Sequence, residues 1–143
     1  MRVYRNDKLR ALDIKFAAPR AGDAGYDLYA ISAHSVEPGQ RALVDTGLHL
    51  EIPAGFVGLV KDRSSVASAG IHTLAGVIDS SYRGELKILI VNLGSSRYQI
   101  RAGQKIAQLI VVPAYTEAVE LVDSLEGLST SQRGSGGFGS TGE

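Results

Sequence analysis

Residues 74–92 read Leu-Ala-Gly-Val-Ile-Asp-Ser-Ser-Tyr-Arg-Gly-Glu-Leu-Lys-Ile-Leu-Ile-Val-Asn, and the fold is best inferred from this stretch. Two apolar runs, 76–78 and 86–91, flank a polar segment from Asp79 to Gly84. Apolar runs separated by turn residues predict two strands joined as a hairpin. A turn does not need Tyr82 and Arg83 as well, and an aromatic ring beside a carboxylate is compatible with a small-molecule pocket. On this stretch alone, a solvated hairpin tip explains the residues slightly better.

The same pattern extends outward along the chain. Seventeen glycines and short runs of Val, Ile and Leu at intervals of about ten residues predict many short strands and little helix. We predict strands over 9–16, 25–30, 42–52 and 105–113, with one or two helical turns within 61–70. The predicted fold class is all-β, a distorted jelly roll or β-barrel formed by residues 1–128 as one domain. Residues 129–143, nearly all Gly, Ser and Thr, predict a flexible C-terminal arm.

Composition excludes several classes of function. The 143 residues carry 15 basic and 15 acidic side chains, so attraction to nucleic acid or to an anionic membrane is not expected. The absence of cysteine removes disulfides, thiol catalysis and cysteine metal sites. The N-terminal residues lack the apolar core of a signal peptide, so a cytoplasmic location is expected.

Some motif matches fail on context. Residues 134–139 spell G-x-G-x-x-G, but a dinucleotide site needs a strand before this motif and a helix after it. Three histidines, His34, His49 and His72, show no metal-ligand spacing. The sequence also lacks the G-x-S-x-G elbow of a serine hydrolase.

Other residues leave two interpretations open. Arg63 and Ser64 begin the predicted helix, where a serine is usually a cap but can also help to bind phosphate. Gln108 lies in an apolar run, so its amide must either make a structural hydrogen bond or orient a water molecule in a site. In the arm, Arg133 could wrap an anion and Phe138 could close over a flat ring.

Five segments, in this order and spacing, closely resemble the five motifs of the trimeric dUTPase family. They read Ala-Gly-Tyr-Asp-Leu-Tyr-Ala (24–30), Arg-Ser-Ser-Val-Ala (63–67), Gly-Val-Ile-Asp-Ser-Ser-Tyr-Arg-Gly-Glu (76–85), Gly-Gln-Lys-Ile-Ala-Gln-Leu-Ile (103–110) and Arg-Gly-Ser-Gly-Gly-Phe-Gly-Ser-Thr-Gly (133–142). The resemblance covers almost the whole chain. It implies hydrolysis of dUTP to dUMP and pyrophosphate with bound Mg²⁺, which keeps uracil out of DNA and supplies dUMP for thymidylate synthesis.

The resemblance also implies roles for individual residues. The implied catalytic residues are Asp79 as general base, Gln108 as the group that orients the attacking water, and Arg133 at the phosphates. Asp27 is expected to reach Mg²⁺ through water, while the triphosphate itself holds most of the ion. The implied substrate-binding residues are Arg63, Ser64, Ser65, Thr73, Gly76, Ile78, Asp79, Tyr82, Lys87, Arg133, Gly137 and Phe138. Tyr82 is expected under the deoxyribose and Phe138 on uracil.

Members of the family are homotrimers, so the resemblance further implies active sites shared between subunits. Three positions depart from the family pattern: Asp62 stands where proline is common, Ser65 where glycine is usual, and Gln104 where aspartate is commoner. An acid beside the phosphate-binding Arg63 either weakens triphosphate binding by repulsion or points outward.

Two alternative functions remain. A dCTP deaminase shares this fold, but Leu89 and Ser68 stand where that enzyme is expected to have a glutamate and an arginine. A non-catalytic nucleotide-binding or regulatory protein is the other alternative, although Asp79, Gln108 and Arg133 are all retained.

Overall fold

A computed structural model describes residues 1–136 of the chain. In chain order, its elements are strand β1 (Arg2–Arg5), helix α1 (Asp7–Ala11), β2 (Tyr26–Tyr29), β3 (His34–Val36), β4 (Arg41–Glu51), β5 (Phe56–Asp62), helix α2 (Ser64–Ala67), β6 (Ile71–Leu74), β7 (Val77–Ile78), β8 (Glu85–Asn92), β9 (Tyr98–Ile100), β10 (Lys105–Pro113) and a 3-10 turn at Leu125–Gly127. The prediction of an all-β fold is confirmed.

The strands form two four-stranded antiparallel sheets and one two-stranded sheet. The first sheet has the order β1-β4-β8-β6, the second the order β2-β10-β5-β7, and β3 pairs with β9. In β8, Leu86, Ile88 and Ile90 are buried and alternate with more exposed residues. Side chains of this period-2 pattern pack in one core with apolar residues of the second sheet, such as Leu28 and Leu109. Hydrophobic burial between the sheets therefore holds the two layers together.

A bulge in β4 sets the register of this strand against β8 in the first sheet. The register between β4 and β8 shifts between Asp45 and Leu48, and Gly47 lies there with φ of +70°. The Gly47 N–H donates to the carboxylate of Glu85 at 2.7 Å, and the buried Thr46 hydroxyl donates to the Leu86 carbonyl. The polar groups at the bulge therefore have hydrogen-bond partners, so their burial does not carry the cost of an unsatisfied group.

Two predictions about local structure are wrong. Residues 9–16 do not form a strand, because the Asn6 side chain accepts a hydrogen bond from the Leu9 N–H and caps helix α1 instead. The stretch 74–92 is not a hairpin, because β7 pairs with β5 in the second sheet whereas β8 pairs with β4 and β6 in the first. The polar segment 79–84 therefore crosses from one sheet to the other.

Most other boundaries agree with the prediction. Strand β10 spans the predicted 105–113, and β2 and β4 fall within one to two residues of the predicted strands. The predicted helix is the single turn α2. Between β3 and β4, Gly39 has a positive φ of +76°. Within residues 1–136, no helix is both long and apolar enough to cross a membrane.

Two glycine variants test the packing at the bulge. A Cβ on Gly47 would lie 2.6 Å from the Asn6 Oδ1 and 2.8 Å from the Leu9 Cβ, whereas one on Gly39 would meet no heavy atom within 4 Å. Both glycines have positive φ, so Gly39→Ala serves as a control for backbone strain alone. We expect Gly47→Ala to lower the free energy of unfolding by about 1–3 kcal/mol more than Gly39→Ala does, in urea denaturation. Equal losses would show that Asn6 and Leu9 yield freely.

Candidate active site

A cleft of about 760 Å³ opens where β2, β10 and the end of β5 meet. We call it the cationic cleft, because four basic side chains and two acidic ones line it and leave an excess of two positive charges. Those six are Lys15, Arg20, Arg63, Lys105, Asp23 and Asp27, and the lining also includes Ser64, Ser65 and Gln108. A concave surface with this charge balance favours an anionic ligand.

Asp27 lies between two of these cations. One of its carboxylate oxygens accepts a hydrogen bond from the Arg63 guanidinium, and the other lies 2.7 Å from the Lys105 Nζ. Lys105 also lies 5.7 Å from the centre of the Tyr29 ring, its register partner across β2 and β10. Both cations are therefore fixed in the cleft before any ligand binds, so their side chains lose less conformational entropy when an anion binds.

Gln108 lies directly beside Asp27. The two residues are register partners across β10 and β2, and the Gln108 Nε2 donates to the main-chain oxygen of Asp62 at 2.8 Å. Gly25 makes room for the amide, because a Cβ at that position would lie 2.4 Å from the Gln108 Oε1. The amide thus has the structural hydrogen bond that its apolar run requires, and it also faces the cleft.

Arg63 and Ser64 lie at the start of α2, which is a single turn. Arg63 is the N-cap residue and makes no side-chain cap hydrogen bond, so its guanidinium remains available to Asp27. The carbonyl of Ser64 accepts hydrogen bonds from the Ser68 backbone and side chain, while Ser64 itself is exposed in the cleft. The geometry therefore does not support the interpretation of Ser64 as a helix cap.

The departures from the family pattern have local explanations. The Asp62 carboxylate points away from the cationic cleft and accepts hydrogen bonds from β6, so it does not oppose the charge of Arg63. Gln104 receives the Arg101 N–H on its Oε1 and donates to the Tyr98 hydroxyl, which closes the turn 101–104. Ser65 is exposed and lines the cleft.

A second, smaller cleft of about 180 Å³ lies beside the segment that crosses between the sheets. We call it the turn cleft, and its lining residues are Val77, Ile78, Asp79, Tyr82, Glu85 and Lys87. Asp79 is exposed, directly after β7. Lys87 lies 2.9 Å from Asp45, and this hydrogen bond raises the pKa of the Lys87 ammonium.

The turn cleft is built from backbone contacts of its own segment. The Arg83 guanidinium donates to the carbonyls of Ser80 and Tyr82, and the Tyr82 hydroxyl donates to the Glu85 carbonyl at 3.0 Å. Gly84 lets the ring lie against the chain, because a Cβ there would lie 2.3 Å from the Tyr82 Oη. The ring of Tyr82 is therefore held in place although it is 44 % exposed.

The bend before β7 uses two residues with positive φ. Ala75 has φ of +56° and Gly76 has φ of +93°, and the Gly76 carbonyl accepts a hydrogen bond from the Val60 N–H. An alanine in this region is unusual and costs about 1–2 kcal/mol. Thr73, at the end of β6, gives its N–H to Asp62. These contacts fix the path of the chain toward Asp79.

Within one chain, the two clefts lie at opposite ends of β5. Ile78 pairs with Gly58 near the start of β5, and Asp79 follows it, whereas Arg63 comes directly after the end of that strand. Five residues of extended chain separate positions 58 and 63, which corresponds to about 17 Å. The structure thus brings Asp27, Arg63, Ser64, Ser65 and Gln108 together, but it does not bring Asp79 to Gln108.

Several residues of the cationic cleft, above all Lys105, were not predicted from the sequence. Lys105 is the first residue of β10, in a segment that the family resemblance already singled out, and this position was the one signal for it in the sequence. Arg20 and Asp23 gave no such signal, since they fall in a segment without periodicity, and the alternation around Lys15 predicted a strand that does not form. Their presence at the cleft depends on the path of the irregular segment between α1 and β2.

The oxygen donors of the cationic cleft limit how it could bind Mg²⁺. Among residues 1–136, no three His, Asp or Glu side chains come together as a metal cage, and both oxygens of Asp27 already face cations. Mg²⁺ keeps several waters and takes phosphate oxygens readily. The cleft therefore fits a hydrated ion carried by a polyphosphate and contacted through water, and it does not fit an ion held by protein ligands alone.

Three residues of the predicted site belong to the C-terminal arm. Arg133 is exposed, and its Nε donates to the Gly136 carbonyl at 2.8 Å. Gly137 and Phe138 lie outside the described residues.

Comparison with known proteins gives concordant matches. The family model described as dUTPase matches residues 14–142. The deoxyuridine 5′-triphosphate nucleotidohydrolase of Solibacter usitatus is 45 % identical over 131 residues, which is 89 % of this chain and 86 % of that protein. The protein of the same name from Methylocella silvestris is 48 % identical over 129 residues, with 85 % and 79 % covered.

Solved structures agree. The dUTPase of Staphylococcus bacteriophage 80alpha with dUPNHPP has a TM-score of 0.87 and 29 % identity, over 99 % of this chain and 98 % of that one. A mutant dUTPase from phage phi11 of S. aureus, whose structure shows the coordination of a structural Mg(II) ion, has a TM-score of 0.77 and 27 % identity, over 87 % and 97 % of the two chains.

Proposed function

The chain belongs to the dUTPase family and hydrolyses dUTP to dUMP and pyrophosphate, and from that premise we propose how its residues bind and cleave the substrate. The observation that carries the proposal is the cationic cleft, in which Asp27, Arg63, Ser64 and Gln108 from three separate motifs line one surface with excess positive charge. In cells, this reaction keeps uracil out of DNA and supplies dUMP for thymidylate synthesis.

The triphosphate binds in the cationic cleft. Arg63 and Ser64 contact phosphate oxygens, with Ser65 beside them, because phosphoryl transfer depends on placement and on neutralising charge. Arg63 is partly buried and already held by Asp27, so its guanidinium loses little freedom when phosphate binds.

Asp79 acts as the general base. Its carboxylate takes a proton from a water molecule whose oxygen attacks the α-phosphorus, and the bond from that phosphorus to the bridging oxygen breaks to release pyrophosphate. Gln108 orients the same water. Such proton removal contributes about 10²–10⁴-fold to a rate. Exposure of Asp79 at the mouth of the turn cleft leaves it accessible to substrate and water.

The turn cleft selects deoxyuridine. Backbone groups between Thr73 and Gly84, including those of Gly76 and Ile78, pair with the uracil edge, and cytosine would leave some of them unpaired. The fixed ring of Tyr82 packs under the deoxyribose and leaves no space for a 2′-hydroxyl. Lys87 lines the same cleft, where its hydrogen bond to Asp45 holds the ammonium.

Mg²⁺ is the cofactor in this proposal. Asp27 would contact the hydrated ion through water, and Mg²⁺ carried mainly by the triphosphate would supply neutralisation of its negative charge. The position of Asp27 at the edge of the cationic cleft, with Asp23 nearby, supports this assignment. In that role, the two carboxylate oxygens of Asp27 would contact the water around the ion as well as Arg63 and Lys105.

The active site is completed between subunits of a homotrimer. The separation of the two clefts along β5 supports this proposal, because Asp79 and Gln108 of one chain cannot hold one water molecule. A second copy can supply the turn cleft to the cationic cleft of the first.

The segment after β10 supports association as well. Between residues 114 and 128, several large apolar side chains are more than four-fifths exposed, namely Tyr115, Val119, Leu121 and Leu125. Such a segment gains free energy by packing on another subunit.

Residues 129–143 form the arm that closes over the occupied site, while residues 1–128 form the domain. Arg133 contacts the phosphates and, with Gly137 and Phe138, shields them from water as Phe138 stacks on uracil. Arg133 is exposed, and its positive charge suits contact with the negatively charged triphosphate in the cationic cleft.

A deaminase of the same fold lacks support. Leu89, at the position of the glutamate expected for deamination, lies in β8 opposite Leu43 and Leu74. That position provides no carboxylate to move a proton.

Substitution of Asp79 tests the chemistry. Because Asp79→Asn keeps the shape and removes the base, we expect pyrophosphate release from dUTP to fall at least about 10²-fold, with no release from dCTP, UTP or dTTP by either protein. The assay uses Mg²⁺, and Asp7→Asn, an exposed carboxylate on α1, is the control. A wild-type rate for Asp79→Asn would show that Asp79 is not the general base. Release of ammonia from dCTP would show that the protein is a deaminase.

Substitution of Gly25 tests the role of Gln108. The added methyl group must displace the Gln108 amide, which is the movable end of a side chain, so the fold should be preserved. We expect kcat for dUTP to fall by about tenfold or more with little change in the unfolding midpoint. Gly55→Ala adds backbone strain at a φ of +80° but meets no heavy atom within 4 Å, so it controls for a loss of stability that leaves Gln108 in place and should keep kcat. An unchanged kcat would argue that Gln108 is structural.

Mixing two inactive variants tests the shared site. In trimers assembled at random from Asp79→Asn and Arg63→Ala subunits, about a quarter of the sites receive both intact residues if each cleft comes from a different subunit. Co-expressed, differently tagged subunits should therefore recover about a quarter of wild-type dUTP turnover, whereas each variant alone is inactive. Sites built within single subunits would give no recovery.

A further inference from the structure

Asp62, the last residue of β5, makes contacts in two directions. Its carboxylate accepts the Thr73 N–H at 2.7 Å and lies 2.6 Å from the His72 Nδ1, which ties it to β6. Its main-chain oxygen accepts the Gln108 Nε2 at 2.8 Å, which ties it to β10. Arg63 is the next residue along the chain.

The carboxylate is suited to an anchoring role. The side chain of Asp62 is only 23 % exposed, and burial alone raises its pKa. The hydrogen bonds from Thr73 and His72 outweigh burial, so the pKa of Asp62 lies below its ordinary value. The group is therefore ionised at neutral pH, and its stabilising contribution is lost only as the pH falls through this lowered pKa.

The anchor controls the peptide between residues 62 and 63. That peptide carries both the carbonyl that orients the Gln108 amide and the Cα from which the Arg63 guanidinium reaches Asp27. If the carboxylate lost its hold on β6, the carbonyl and the guanidinium would shift together. Displacements of about 1 Å in such groups can cost about 10²-fold in rate.

We propose that Asp62 is a positioning residue for dUTP hydrolysis, whose carboxylate, fixed by the Thr73 N–H and by His72, holds Gln108 and Arg63 in their productive places. The proposal rests on the proposed roles of Gln108 and Arg63. Asp62 touches neither substrate nor water in this scheme, because it points away from the cationic cleft.

Substitutions of Asp62 with graded chemistry test the proposal. Asp62→Ala removes the acceptor, so kcat/KM for dUTP should fall about 10- to 100-fold, with KM raised through Arg63 and kcat lowered through Gln108. Asp62→Asn keeps an oxygen that can accept the Thr73 N–H and should restore most of the loss. Asp7→Ala, an exposed acid on α1, is the control for removal of a surface charge and should leave both parameters unchanged.

The unfolding midpoint separates positioning from mere stability. If Asp62→Ala unfolds earlier but keeps kcat and KM within about twofold of wild type well below its midpoint, Asp62 only anchors a strand and the proposal is wrong. Equal defects in Asp62→Asn and Asp62→Ala would also overturn it. Should Asp62→Ala not fold, Asp62→Glu, which moves the carboxylate by one methylene, is expected to show the same split in kcat and KM.

Binding of a non-hydrolysable dUTP analogue distinguishes this proposal from the proposed function. Calorimetry with the α,β-imido analogue should show weaker binding to Asp62→Ala than to wild type, because Arg63 is displaced. A wild-type protein that binds the analogue but does not cleave dUTP would contradict the proposed function alone. Equal binding and equal turnover in the two proteins would contradict only the role of Asp62.

Discussion

The pairing of β5 on both of its edges is the constraint on which the site depends. On one edge, β10 pairs with it from Phe56 to Asp62, which places Gln108 beside Lys61 and next to Asp27 on β2. On the other edge, the two residues of β7 pair near its start and lead into Asp79. One strand thus fixes the cationic cleft at one end and the turn cleft at the other. Because a strand of this length is rigid, Asp79 and Gln108 of one chain lie too far apart to contact the same water molecule.

The electrostatics of the cationic cleft follow from the same arrangement. Asp27 offsets part of the positive charge that Arg63 and Lys105 would otherwise concentrate, and it keeps their positions defined. An ion pair that is about one-third exposed contributes modestly to stability, so its main effect is on geometry. Alternation along β5 directs Asp62 to the opposite side from Arg63, which is why an acid next to the arginine leaves the charge of the cleft unaffected.

The stretch 74–92 shows where reasoning from sequence fails. Its apolar runs were correctly identified as strands. Its pairing was wrong, because periodicity and turn residues report that a strand exists but not which strand it joins. Residues 9–16 failed for a different reason. Their alternation resembled a strand, but the Asn6 cap and the burial of Leu9 against the β4 bulge favoured a short helix.

The sequence by itself determined the all-β class, most strand positions and the family, because period-2 burial and motif spacing are local properties that a chain displays directly. It also named Asp27, Arg63, Ser64, Gln108 and Asp79. Only the tertiary structure decided that the first four share one cleft, that Lys105 joins them, and that Asp79 lies in the turn cleft at the opposite end of β5. The tertiary structure likewise decided that the Asp62 carboxylate points toward β6 and away from the cationic cleft. These are matters of strand pairing and side-chain direction, which depend on residues far apart in the sequence.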